Sequence, residues 1–216
     1  MREMANNGMD FQVETDSLLG LSESGKLISS SPQVLSILSS VFEKLIQKNE
    51  KLLKRLKKKD SVTIFHSSRA PTMGIGQYID RILKYTCCGT ACLVVAYIYI
   101  ERYLQKTDVY LTSLNVHRLL ITSIMVAAKF IDAGCYNNTF YAKVGGVSTK
   151  EMNSLEIEFL FNLDFRLHVT ADVFSTHCLQ LQKEVLGAEN QVERRPGNKA
   201  RTKCLPQITG YTCSAI

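Results

Sequence analysis

The sequence has few of the residue patterns that enzymes use. It contains no glycine-rich phosphate loop, no nucleophile elbow and no histidine and carboxylate cluster with metal-ligand spacing. Its four histidines, His66, His117, His168 and His177, lie in separate segments. Because acid–base catalysis requires such groups to converge, we expect a protein that is not an enzyme, with no metal, no cofactor and no small-molecule substrate.

Proline and long apolar runs are also scarce. None of the four prolines lies between Pro71 and Pro196, and stretches of strand length that alternate apolar and polar residues are missing. This pattern favours an all-α domain. The longest uncharged run, YTCCGTACLVVAYIYI between Lys84 and Glu101, has 16 residues, whereas a membrane-spanning helix needs about 20 apolar residues. We therefore interpret it as a core helix and expect no membrane partner.

The seven cysteines include no Cys-x-x-Cys pair, and the first 30 residues lack the apolar core of a signal peptide. This favours a reducing compartment, and we expect the nucleus and cytoplasm. Cys87, Cys88 and Cys92 could indicate a metal site, but no histidine lies nearby, so we interpret them as structural thiols. Neither Cys135 nor Cys178 has a local electropositive neighbour that would activate a catalytic thiolate.

The net charge of +6 arises largely in one segment. Eight of the 26 basic residues lie close together, namely Lys44, Lys48, Lys51, Lys54, Arg55, Lys57, Lys58 and Lys59. Such a run could bind nucleic acid, but it has no interleaved aromatic residue beyond Phe65. A solvated helix end or a nuclear-localisation signal explains the run about as well. We keep nucleic-acid binding through residues 44–59 as an alternative function and do not expect nucleic acid as a partner.

Periodicity divides the chain into four parts. Residues 1–30 show no sustained periodicity and predict a disordered leader. Ser31-Pro32 is typical of a helix start, so an amphipathic basic helix is expected within 31–59. Residues 62–174 predict one helical domain, and residues 175–216 a C-terminal helix and a flexible tail.

The individual helices follow from apolar spacing and from capping residues. Asn115 is predicted to cap the third helix of the domain, and Ser148 with Glu151 to form a capping box. A last helix is expected to begin after Thr170 and to end near Leu186. The other predicted helices are 32–57, 76–86, 90–104, 115–132, 138–144 and 149–163.

The helix predicted at 115–132 has an uncharged run that ends at Lys129. From Leu119 to Ala128 the residues are aliphatic, small or hydroxylated, which is typical of a helix packed on most of its sides. On a helical wheel Lys129 ends a narrow polar stripe. The lysine is therefore either solvated near the helix C-terminus, where the dipole favours positive charge, or paired with a partner.

The next long helix carries a glutamate on an apolar face. Glu156 lies about 140° from Glu151 on the wheel, among Met152, Leu160 and Leu163. Burying an unpaired carboxylate costs roughly several kcal/mol, so it must meet a cation, accept hydrogen bonds or lie at an interface.

Lys129 and Glu156 therefore allow two interpretations. They form either an internal salt bridge or the charged edge of a protein-recognition surface. In the second case Phe130, Leu160 and Phe165 are the candidate apolar neighbours. Periodicity does not decide between the two.

The segments that carry these residues resemble the cyclin box. MVAAKFID, with NSLEIEFLFNLDF beginning 24 residues beyond its lysine, is similar to the cyclin pattern of an alanine-rich helix that ends in Lys-Phe. In that pattern the next long helix carries a buried-side glutamate. LNVHRLLITSIMVAAKF and VVAYIYIERYLQ are similar to plant U-type cyclins, also called P-type, which resemble fungal phosphate-signalling cyclins. The resemblance runs from about Ile64 to Phe174.

The resemblance implies a single five-helix cyclin box with an extra N-terminal amphipathic helix and a short C-terminal helix. It implies a regulatory subunit that binds and activates a PSTAIRE-type cyclin-dependent kinase, in plant cell-cycle control or phosphate-linked signalling. The kinase-binding residues implied are Lys129, Glu156, Phe130, Leu160 and Phe165. The alternative is a cyclin-fold scaffold or a nucleic-acid-associated factor that uses the basic run.

Three further features concern specificity and structure. Arg81 and Glu101 match a cyclin ion pair between the first and second helices of the box. The segment GQYIDRILKYT lacks the substrate-docking motif of mitotic cyclins. In DAGCYNN, Ala133, Gly134 and Cys135 replace a stretch expected to be bulkier and more acidic, so partner strength or choice could differ.

Overall fold

The computed structural model of the chain describes residues 31–57, 61–86, 88–131 and 136–192, with side chains from residue 34 to residue 184 of these ranges. The predicted leader, the tail beyond 192 and Ala133, Gly134 and Cys135 lie outside the described residues. The seven helices described are α1 (Ser31–Leu56), α2 (Ile75–Thr86), α3 (Thr90–Lys106), α4 (Val116–Ile131), α5 (Asn138–Gly145), α6 (Thr149–Asn162) and α7 (Ala171–Val192). The prediction of an all-α fold is confirmed.

Helix α4 lies at the centre of the domain. It contacts α2, α3, α5 and α6, and every residue from Leu119 to Ala128 is buried. Burial on all sides therefore explains why residues 119–128 carry no charge, as the sequence predicted. Helix α5 approaches α4 so closely that a Cβ atom on Gly145 would lie 2.8 Å from Cγ1 of Ile121. Glycine at this position permits the packing.

Helix α1 packs on the other helices through its apolar stripe. Val34, Leu38, Phe42 and Ile46 are buried, and the helix contacts α2, α3 and α7. Asn49 donates a hydrogen bond to the Leu111 carbonyl at 3.0 Å. The stripe therefore binds this chain's own core, whereas its sequence showed only that it packs on something.

Helix α7 begins before the predicted end of the domain at residue 174. Thr170 precedes it, and its carbonyl and hydroxyl oxygens accept from the Phe174 amide at 3.0 Å and the Val173 amide at 3.4 Å. Phe174 and Cys178 are fully buried in the core. The helix therefore belongs to the packed domain, and it also extends beyond its predicted end near Leu186.

The two predicted caps have different outcomes. The Ser148 hydroxyl accepts from the Glu151 amide at 3.1 Å, which confirms that half of the capping box, while the Glu151 carboxylate pairs with Arg118. The cap assigned to Asn115 is wrong. Its side chain is buried and accepts from the Thr112 amide at 2.9 Å, so it closes the turn before α4 instead.

Candidate functional site

Three helices bring polar side chains together at one junction. Lys129 lies in the last turn of α4, Asn138 is the first residue of α5, and Glu156 lies within α6. The Lys129 ammonium donates to Glu156 Oε1 at 2.6 Å and also to Asn138 Oδ1. The Asn138 amide donates to Glu156 Oε2 at 2.6 Å and to Asn153 Oδ1 at 2.8 Å. We call Lys129, Asn138 and Glu156 the junction cluster.

The junction cluster forms the internal salt bridge that the sequence offered as one alternative. It also keeps capacity for a partner, because the side chains of Lys129 and Glu156 remain 29% and 17% exposed. An ammonium has three donors and a carboxylate about four acceptor positions, and the cluster uses two of each. Counting contacts between described residues alone, one donor and about two acceptor positions stay available.

The buried side of α6 sets the orientation of Glu156. Met152, Leu155 and Phe159 have no exposed surface, and the Phe159 ring stacks on Tyr103 with centroids 5.5 Å apart. These anchors fix the rotation of the helix about its axis. Glu156 is consequently held at the edge of the core, where it faces α4 and α5.

Exposed apolar side chains accompany the junction cluster. Phe130, next to Lys129, is 37% exposed, and Phe165, just after α6, is 58% exposed. Leu160 lies one helical turn beyond Glu156 and is half-buried. The structure thus places Glu156 and Leu160 on neighbouring turns of one helix, with Phe165 at its end. Their binding of a kinase stays a prediction.

Sequence reasoning missed two exposed residues on the same helix. Ile157 is 57% exposed and Phe161 is 64% exposed. The Phe161 ring meets the Phe165 ring edge to face, with centroids 5.3 Å apart. The sequence does indicate their exposure. The two positions lie four residues apart, on a different side of the helix from the buried residues of α6. Asn138 was also missed, and nothing in its local sequence indicates that it bridges two charges.

The end of α6 has an unusual backbone. Asp164 and Phe165 both have positive φ, at 50° and 56°. The Phe165 amide donates to the Leu160 carbonyl at 3.0 Å and the Asp164 amide to the Phe161 carbonyl at 3.0 Å, the two bonds of a Schellman motif. Glycine usually occupies such positions, and another residue costs about 1–2 kcal/mol. The motif ends α6 and leaves the Phe165 ring exposed at the surface.

Asp164 also contributes to the surface near the end of α6. Its carboxylate pairs with Lys106 of α3. The hydrogen bond from Lys106 holds the pKa of Asp164 below its ordinary value. Lys106 and Asp164 therefore neutralise each other beside the exposed rings of Phe161 and Phe165.

A second charged cluster lies between α3 and α7. Glu101 accepts from the Tyr97 hydroxyl at 2.6 Å, and its other oxygen lies 2.9 Å from Nε2 of His177. Nδ1 of His177 faces the Val173 carbonyl at 2.6 Å. We call Tyr97, Glu101 and His177 the α3–α7 cluster.

The α3–α7 cluster perturbs two of its groups. Burial alone would lower the pKa of His177, but the hydrogen bond to Glu101 and the one to the Val173 carbonyl raise it above its ordinary value. Both ring nitrogens face acceptors, so the imidazolium satisfies both contacts. Burial raises the pKa of the Tyr97 phenol, and the Glu101 charge adds to this.

The ion pair predicted between Arg81 and Glu101 requires correction. Within the described residues, the side-chain contacts of Glu101 are to Tyr97 and His177, and Arg81 is not among them. Glu101 therefore faces α7 and binds Tyr97 and His177. Nε of Arg81 is buried without a hydrogen-bond partner among the described atoms. The two residues match a sequence pattern, but the packing gives Glu101 other partners.

Comparison with known proteins identifies the family. A family model described as Cyclin matches residues 27–167. The chain belongs to the cyclin family. This cyclin is 55% identical over 168 residues to Cyclin-P3-1 of Oryza sativa subsp. japonica, covering 78% of this chain and 71% of that protein.

Two Arabidopsis thaliana proteins are also similar to this cyclin. Cyclin-U3-1 is 49% identical over 168 residues, covering 77% of this chain and 75% of its own. Cyclin-U1-1 is 50% identical over 159 residues, covering 73% and 76%. The predicted plant U/P type is therefore confirmed. The family match begins before α1 and therefore covers this helix as well.

Family membership defines the general role of this cyclin. Cyclins are regulatory, non-catalytic subunits, which agrees with the expectation that the chain is not an enzyme, and the family implies a cyclin-dependent kinase as partner. Within the described ranges, no helix combines the length and hydropathy needed to cross a bilayer. In the same residues, no three His, Cys, Asp or Glu side chains are arranged to hold a metal ion.

Proposed function

We propose that this cyclin binds and activates a PSTAIRE-type cyclin-dependent kinase, in plant cell-cycle control or phosphate-linked signalling. The supporting observation is the junction cluster, in which Lys129 and Glu156 are partly exposed, together with the exposed ring of Phe130 beside it. Oriented charges beside apolar anchors are what a specific protein interface requires. Leu160 and Phe165 extend the same surface along α6.

The proposed mechanism is regulatory. The surface holds the kinase's mobile regulatory helix inward, so that the kinase's own Lys–Glu ion pair and activation segment reach their active arrangement. Lys129 offers its remaining donor to a carbonyl of the kinase, and Glu156 offers its remaining acceptor positions to N–H groups. Activation follows only if these contacts favour the active kinase conformation over the inactive one.

The geometry of the junction cluster reduces the cost of binding. Asn138 holds both charged groups through hydrogen bonds before a partner arrives. Groups that are already ordered lose less conformational entropy on association. The internal salt bridge and the recognition surface are therefore compatible interpretations of the same residues.

We further infer that this cyclin acts in the nucleus and cytoplasm. The basic residues of α1 from Lys44 to Arg55 are exposed, although Lys44 pairs with Glu184 at 3.2 Å. A fluorescent fusion tests this inference, with Lys51, Lys54 and Arg55 changed to alanine in the variant. Exclusion of the variant from the nucleus supports it, and exclusion of the unaltered fusion overturns it.

The deciding experiment is co-purification of the full chain with a PSTAIRE-type kinase, followed by a kinase assay on histone. Lys129→Ala is expected to weaken binding, because it removes the charged donor and leaves Glu156 without its cation. Lys143→Ala is the matched control, since Lys143 is exposed on the neighbouring helix α5. Circular dichroism should show equal helix content in all three proteins.

Each outcome bears on a different part of the proposal. Binding with activation supports the whole proposal. Binding without activation overturns the claim that this cyclin suffices to activate the kinase. Failure of the folded, unaltered chain to bind overturns the proposed partner, and equal binding by Lys129→Ala overturns the assignment of the interface.

A further inference from the structure

Two exposed apolar side chains lie on the outer side of α6, and a third follows just beyond the end of the helix. Ile157, Phe161 and Phe165 follow one another at intervals of four residues and are 57%, 64% and 58% exposed. We call these three residues the outer ridge. Positions four apart on a helix are neighbours, and the rings of Phe161 and Phe165 are in contact. The ridge is therefore a continuous apolar surface and not three scattered side chains.

The outer ridge lies outside the hydrophobic core of the described residues. The core contacts of α6 come from the other side of the helix, through Met152, Leu155 and Phe159. Large apolar side chains that remain exposed as a group indicate an interaction site. The backbone of Asp164 and Phe165 leaves the Phe165 ring at the surface beside Phe161.

The outer ridge is continuous with the proposed kinase surface. Ile157 directly follows Glu156, and Phe161 directly follows Leu160. Phe165 belongs to both surfaces. A partner that covers the junction cluster and Leu160 would therefore have to pass beside the ridge or lie on it.

The charges around the outer ridge are of both signs, and the acidic one nearest to Ile157 and Phe161 is Glu158. Glu158 is exposed beside Ile157 and Phe161, and among the described residues its carboxylate accepts only from the Asn162 amide, at 3.1 Å. Lys129 pairs with Glu156 and Lys106 with Asp164, while the exposed Arg166 follows Phe165 and its charge acts on Asp164. A basic group on a partner would find Glu158 without a bound cation among the described residues.

We propose that the outer ridge binds an apolar segment with flanking basic residues on the same kinase molecule. This inference rests on the proposed function. The two exposed aromatic rings supply the central anchors that dominate interface energetics. Glu158 supplies charge complementarity, which favours one partner over another.

The test is a binding titration of the full chain against a purified PSTAIRE-type kinase. Phe161→Ala is expected to weaken binding about tenfold or more, as loss of an aromatic anchor does. Tyr85→Ala is the matched control, because Tyr85 is also an aromatic residue in the last turn of its helix, is 54% exposed and belongs to α2. It should change affinity less than about twofold. Thermal unfolding should be equal in both variants, since neither side chain is buried.

Glu158→Lys tests the charge argument separately. Reversal of this charge should weaken binding at low salt and reduce the dependence of affinity on salt concentration. Glu43→Lys on α1 is the control, because Glu43 is exposed and lies on a helix that contacts α2, α3 and α7 but not α6. Equal salt dependence of Glu158→Lys and the unaltered chain would overturn the basic character assigned to the partner segment.

The outcomes separate this inference from the proposed function. If the unaltered chain binds the kinase and Phe161→Ala binds equally well, the inference is overturned and the proposed function stands. If the unaltered, folded chain binds no PSTAIRE-type kinase, both are overturned. If analytical ultracentrifugation shows a dimer that Phe161→Ala dissociates while kinase binding is unchanged, the ridge binds a second copy and the inference is overturned.

Discussion

The junction cluster and the α3–α7 cluster contain similar chemistry in different surroundings. Each has a glutamate whose two oxygens contact different side chains, with Glu156 bound by Lys129 and Asn138 and Glu101 bound by Tyr97 and His177. The junction cluster lies beside exposed phenyl rings. The α3–α7 cluster lies between two packed helices.

This difference teaches that a charged pair does not by itself indicate a binding surface. Tyr97 packs its ring on Phe42 of α1 with centroids 5.8 Å apart, so the α3–α7 cluster connects three helices of the same chain. Its hydrogen bonds therefore stabilise the fold. Glu101 and His177 remain 32% and 18% exposed, about as much as Lys129 and Glu156. The junction cluster differs in the exposed ring of Phe130 beside it, which adds the apolar anchor that an interface requires.

Glu156→Ala should produce the largest effect and should act on binding. Removal of the carboxylate takes away acceptors for the kinase and leaves Lys129 without its counter-charge, which typically costs about 2–5 kcal/mol of binding free energy. We expect a loss of kinase affinity of about 30-fold or more, measured by titration calorimetry. Glu151→Ala on the same helix is a comparison variant, because Glu151 pairs with Arg118 outside the junction cluster. Similar affinities for these two variants would contradict the assignment.

Glu101→Ala should have the opposite pattern, with an effect on stability and not on binding. It leaves the Tyr97 hydroxyl and His177 without their common acceptor at a partly buried site. We expect the free energy of unfolding to fall by about 1–2 kcal/mol in urea titrations. Kinase affinity of the folded variant should be unchanged. A large loss of affinity with unchanged stability would mean that the two clusters do not differ in the way described.

The sequence predicted the helices well because their signals are local. The uncharged run of α4 follows from burial on all sides, and the serine before α6 caps a helix a few residues away. Spacing of this kind requires only neighbouring residues and the geometry of one helix. The U/P-type resemblance then supplied the order of the helices in the box.

The partners of polar side chains could not be predicted in the same way. Glu101 and His177 are 76 residues apart, and their contact depends on how α7 packs on α3. Asn138 is an ordinary helix-start residue until α4 and α6 place Lys129 and Glu156 beside it. By contrast, the exposure of Ile157 and Phe161 could have been predicted, because helical spacing places them on a different side of α6 from its buried residues.

Asn138→Ala should have a smaller effect and would sharpen the account of the junction cluster. The ion pair between Lys129 and Glu156 remains possible in this variant, but both charged groups lose one hydrogen bond that orients them. We expect kinase affinity to fall about three- to tenfold, which corresponds to roughly 1 kcal/mol. Gln105→Ala, at an exposed position of α3, is the control. Unchanged affinity of Asn138→Ala would show that Lys129 and Glu156 need no positioning by α5.

The smallest predicted effect concerns the pH dependence of the α3–α7 cluster. The pKa of His177 is raised in the folded chain above its ordinary value of 6.5, so folding favours the imidazolium, although the Arg102 charge opposes it. Its contribution to stability should be fully present below about pH 6.5 and should be lost as the pH rises through the folded-state pKa. The difference in free energy of unfolding between the unaltered chain and His177→Gln should therefore shrink on going from pH 6 to pH 9, by less than about 1 kcal/mol. His168→Gln, at an exposed position, is the control. A difference that grows with pH would mean that His177 is bound as the neutral imidazole and that the Glu101 contact is not an ion pair.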